Sequence, residues 1–128
     1  MLSLGLFVRA QKHDGFTFHG SHIMKKDSED YTDERHIFHL SSPNKLFIHN
    51  DLSKLDSPIT QVYKVKSYEV VEISKYDWEA YFTVVSSNGS SYKGKLIIEG
   101  DFETLMIGST FFLGSYSVII PFEKGVLR

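Results

Sequence analysis

Cysteine is absent, proline occurs only three times, and neither sign of charge dominates: 14 Lys+Arg stand against 16 Asp+Glu in 128 residues. Without cysteine there are no disulfides, no Cys-ligated zinc or iron–sulfur centres and no thiol nucleophile. That absence suits a cytoplasmic location, which is the expectation. A formal net charge of −2 gives no long-range attraction to nucleic acid or an anionic membrane, so such binding needs a local patch. No window approaches the ~18 to 20 apolar residues that span a bilayer, and no membrane contact is expected. The opening stretch from Met1 to Arg9 is apolar but short, lacks a basic leader, and reads as structure. Phosphate-cradling Gly-x-x-x-x-Gly-Lys-Ser/Thr and Gly-x-Gly-x-x-Gly loops and the Gly-x-Ser-x-Gly elbow are also missing, so no cofactor is expected.

What remains is a chain of one-domain length, 1–128, able to bury about two thirds of the surface its unfolded state exposes. Its apolar residues follow a strand period. Leu2, Leu4, Leu6 and Val8 alternate with their neighbours; His13-Asp-Gly15 punctuates, and Phe16–Ile23 returns, a candidate N-terminal hairpin. Lys25–Arg35 is polar and acidic. Thr32 can cap a short helix through His36, while Arg35–Leu40 also reads as a strand. Leu46–His49 is a short apolar run, and Asn50–Pro58 is a polar connection with room for one helical turn.

Five β-branched and aromatic runs follow: Val62–Ile73, Trp78–Val85, Tyr92–Glu99, Phe102–Ile107 and Phe111–Ile120. Short punctuation separates them, as in an antiparallel meander. Trp78, Ala80, Phe82 and Val84 share one face. Asn88-Gly89 supplies the positive-φ pair of a tight hairpin turn, so Trp78–Val85 should pair with Tyr92–Glu99. The apolar phase slips between Val65 and Tyr68, which predicts a bulge near Ser67. The fold class expected is mainly β, a single antiparallel barrel or sandwich with at most one or two short helices.

All six histidines lie in the first half. His36 and His39, three apart, would share a helical face and form a candidate metal pair; on a strand they would face opposite ways. His19-Gly-Ser21 and His39-Leu-Ser41 have the form His-x-Ser. This resembles the paired His-x-Ser/Thr elements of two-histidine phosphoesterases, which implies one imidazole as base and the other as acid. The two elements here lie only 20 residues apart, unlike that family's distant halves.

Tyr63-Lys-Val-Lys66 and Tyr92-Lys-Gly-Lys95 repeat a Tyr-Lys-x-Lys form. Tyr63, Lys64, Lys66, Tyr92, Lys93 and Lys95 are therefore candidates to bind nucleic acid or a small ligand. On a strand each ring faces away from its flanking lysines unless a bulge intervenes. Tyr76, Trp78 and Tyr81 are of the type that anchors protein interfaces. In the C-terminal strands apolar residues occupy both phases, which marks Phe111 or Phe112 and Ile119 or Ile120 as interface candidates, in a homo-oligomer or with another protein.

The reading that follows is a non-catalytic binding module for a protein partner, of accessory, inhibitor or immunity type, such as a phage or mobile element encodes. The alternatives are a His-dependent metal or phosphoesterase-like enzyme, and a barrel that binds nucleic acid or a small ligand.

Overall fold

The computed structural model describes residues 14–25, 30–54 and 56–118, and all regular structure among them is β. The strands are β1 (Gly15–Met24), β2 (Thr32–Ser41), β3 (Leu46–Asp51), β4 (Ile59–Glu72), β5 (Asp77–Val85), β6 (Ser91–Glu99), β7 (Phe102–Ile107) and β8 (Thr110–Val118). Each pairs antiparallel with the next, and β8 returns to β1, so the meander closes into an up-and-down barrel. Closure leaves no sheet edge to aggregate.

Period-two alternation decides which side chains enter. Phe16 and Phe18 of β1, Phe38 and Leu40 of β2, Phe47 of β3, Ala80, Phe82 and Val84 of β5, Leu96 and Ile98 of β6, Leu105 and Phe112 are all buried inside. The phenylalanines touch one another: ring centroids lie 4.7 Å apart for Phe38 and Phe112, 5.4 Å for Phe47 and Phe82, and 5.8 Å for Phe16 and Phe82. Burying each such ring contributes roughly 1.5–3 kcal/mol. Side chains thus fill the middle of the barrel, as expected at eight strands. Opposite Phe82 stands Gly94, where a Cβ would lie 2.2 Å from the ring, so glycine there makes room for the plug. Lys64, Lys66, Glu69, Tyr81 and Lys93 stand exposed on the outer wall. A transmembrane barrel has the reverse distribution, apolar outside and polar within. No described helix is long and apolar enough to cross a membrane.

The predicted bulge is present: the β4–β5 register shifts between Val65 and Ser67. The Asn88-Gly89 hairpin also forms, in register from Asp77 opposite Glu99 to Val85 opposite Ser91. The helix that Thr32 could cap does not form. Residues 32–41 are strand because His36, Phe38 and Leu40 alternate inward and the backbone pairs with both β1 and β3, which outweighs local capping. No helical turn forms in the described part of Asn50–Pro58. The Leu2–Val8 strand, its hairpin, and Ile119 and Ile120 lie outside the described residues.

Strand β4 is staggered between its neighbours. Its residues 59–64 pair with β3, and 64–72 pair with β5, so the two partners overlap only at Lys64. Such stagger is the shear that barrel closure requires.

Candidate functional site

Polar residues replace phenylalanine in the last inward layers toward one mouth of the barrel. Register places His36 opposite Asp51, Phe38 opposite His49, and His49 opposite Gln61, so inward parity brings both histidines to one place. His36 is only 4% exposed. Its Nε2 lies 3.0 Å from Glu34 Oε1, its Nδ1 lies 2.9 Å from His49 Nε2, and Asp51 Oδ1 is 3.8 Å from that Nδ1. Beyond His49, Gln61 hydrogen-bonds the imidazole, and Tyr63 Oη donates to Gln61 Oε1 at 3.2 Å. The pair rests on the aromatic plug: His49 stacks on Phe38 with centroids 4.3 Å apart, and His36 meets Phe112 edge-on at 5.0 Å.

Proton accounting constrains this chain. Glu34 accepts, so His36 Nε2 carries a proton. One proton then serves the contact between the rings, held on His49 Nε2 or on His36 Nδ1. Burial, reinforced by the charge His36 can carry, pushes the His49 pKa down to about 4. A general base works best with a pKa near the operating pH. At neutral pH His49 is therefore a poor general base and a good neutral hydrogen-bonding group.

His39 takes no part. It sits on the outer face of β2, its Nδ1 2.8 Å from Thr17 Oγ1, while His36 points inward, so the two cannot chelate one ion together. The metal pairing of His36 with His39 rested on a helix, and the strand separates them. No group of three or more His, Cys, Asp or Glu among the described residues is arranged to hold a metal ion. His19 and His39 share an outer face, because His19 is opposite Ile37 and Thr17 opposite His39. Their serines are engaged elsewhere: Ser41 Oγ accepts from Asn44 at 3.0 Å, and Ser21 Oγ bonds His22 and Leu113 O.

The two Tyr-Lys-x-Lys segments split by parity. Tyr63 and Tyr92 turn toward the mouth and meet edge-on at 5.7 Å, while Lys64, Lys66, Lys93 and Lys95 take the outer face by the same alternation. Lys95 lies over the Tyr81 ring, 5.4 Å from its centroid. Phe112 is core. Phe111 faces outward, opposite Met106 and Met24 in register.

At the other mouth, two neighbouring hairpin tips expose large apolar side chains that the sequence reading largely missed. Ile73 is 57% exposed, Tyr76 67% and Phe102 78%. Asp77 pins the tips together: Oδ1 accepts from the Gly100 amide and Oδ2 from Ser74 Oγ, each at 2.9 Å, and its carbonyl accepts from the amides of Ile73 and Ser74. An apolar residue on each side of a turn, as in Ile73-Ser-Lys-Tyr76 and before Phe102, was the available signal. Compared with known proteins, the chain matches no family and no curated protein.

Proposed function

We propose that this barrel is a non-catalytic binding module that docks a protein partner on the rim formed by Ile73, Tyr76 and Phe102. The supporting observation is their joint exposure on two tips that Asp77 holds in fixed relation. Pre-ordered tips lower the entropic cost of association. Among the described residues Glu72, Asp77, Glu99 and Asp101 flank the three side chains along the two tips, where the one cation is Lys75, 5.3 Å from the Tyr76 ring centroid. An acidic border repels an anionic bilayer and favours a partner whose apolar centre is bordered by basic residues.

A photo-crosslinking residue at Phe102 is expected to trap a protein that the same residue at Ser115, on the outer wall, does not. With that protein purified, Tyr76→Ser plus Phe102→Ser should weaken binding at least about tenfold, because exposed aromatics at an interface centre carry most of its energy. Affinity equal to that of the unaltered chain would overturn the proposal. Sedimentation of both forms distinguishes a second copy of this chain from a different protein.

A further inference from the structure

The stagger of β4 leaves a trough on the outer wall that is separate from the apolar rim and shares only Tyr63 with the histidine network. It has a volume of about 640 Å³ and lies between the β2–β3 turn and the β5–β6 turn, with Leu46, Val62 and Val85 as apolar lining. That size suits a compact organic ligand. Lys45, Lys64 and Lys66 also line it, and among the described residues no carboxylate does.

Three different devices deliver these lysines. Lys64 is where β3 and β5 both meet β4. Lys66 sits in the β4 bulge. Lys45 has φ 53°, a left-handed conformation that costs a non-glycine residue about 1–2 kcal/mol. Backbone bonds hold it there: its amide donates to Ser42 O at 3.1 Å, and its carbonyl accepts from Val65 N at 3.0 Å. None of the three forms an ion pair with another described residue. Like charges gathered without counter-charge repel, and a bound polyanion would relieve that repulsion.

We infer that this trough binds an organic phosphate of nucleotide size, its phosphates on Lys45, Lys64 and Lys66 and its body on Leu46, Val62 and Val85. A nucleic-acid strand suits it less well, because the positive surface is a basin and not a track. On the β5 side the wall presents Val85, Thr83 and Tyr81, and Lys95 is engaged over Tyr81, which hydrogen-bonds Glu79.

The test is an amide NMR titration of the intact chain with pyrophosphate, ATP and a short single-stranded oligonucleotide, at low and raised salt. Pyrophosphate or ATP is expected to shift amides around Lys45, Lys64, Lys66 and Ser86. Lys64→Gln with Lys66→Gln should weaken that binding at least about tenfold, as should the raised salt, since phosphate contacts are salt-dependent. Lys93→Gln with Lys95→Gln should leave it unchanged. The inference fails if neither phosphate shifts the trough, if the Lys64/Lys66 variant binds normally, or if the oligonucleotide binds more tightly than ATP with shifts extending to Lys93.

Discussion

Gly114→Ala is expected to destabilise the barrel by more than about 4 kcal/mol, a loss that occurs only when a substitution breaks a specific structural requirement. Gly114 of β8 pairs with Gly20 of β1 at the seam where the last strand rejoins the first. A Cβ at Gly114 would lie 1.8 Å from the His19 carbonyl oxygen and 2.9 Å from Gly20 Cα. Both are backbone atoms within a paired strand, so no rotamer change relieves the overlap. The seam must separate, and separation uncovers Phe18 and Phe112 beneath it. Against a total stability of about 5–15 kcal/mol for a domain, that loss unfolds a large share of molecules. Gly100→Ala is the control: φ is +58° there and nothing lies within 4 Å, so only the left-handed backbone cost of about 1–2 kcal/mol applies. Urea unfolding followed by near-ultraviolet circular dichroism compares the two. A Gly114→Ala protein as stable as the Gly100→Ala protein would mean that the seam is not built as described.

The Gly20–Gly114 seam also shows where the sequence stops being legible. Strands β4 to β8 could be read from their β-branched and aromatic runs because each pairs with its sequence neighbour across a short turn. The bulge is visible as a phase slip, since Val65 and Tyr68 both enter the barrel although they stand three positions apart. Closure is a contact between β1 and β8, and no local pattern marks it. The Thr32–Leu40 window carried both a helix cap and a strand alternation, and pairing on both sides settled the matter. The histidine pair is hidden for a related reason. His39 is the near neighbour of His36 in sequence, whereas its partner in space, His49, lies across the β2–β3 hairpin. That pairing puts both on the inward face by parity.

Acidification from pH 6.5 to 4 is expected to destabilise the protein through His49. In the fold its pKa is lowered from 6.5 to about 4, first by burial and then by the charge on His36, with Asp51 and Gln61 acting in the opposite sense. The unfolded chain therefore takes up a proton in this window that the folded chain refuses. Stability is complete above pH 6.5 and falls toward pH 4 with a slope approaching about 1.4 kcal/mol per pH unit. The total reaches at most about 3 kcal/mol, reduced by solvent screening at the exposed edge of the ring. Asp51 acts in a separate, lower window. Burial raises its pKa, but hydrogen bonds from Ser53 Oγ and N and the neighbouring His36 and His49 hold it below 3.8, so its contribution is lost only as pH falls further. His49→Gln retains a hydrogen-bonding side chain of similar length without the titration. The difference between the two stability curves should isolate His49 from the other histidines, including His36, which also faces Glu34. Proton NMR of the His49 ring gives the same quantity without a variant: its midpoint should lie near 4. A midpoint near 6.5, or parallel curves for the two proteins, would mean that the His36–His49 contact does not persist in solution. The mouth of the barrel would then be a hydrated opening, with the two imidazoles solvated separately above the Phe38 and Phe112 rings.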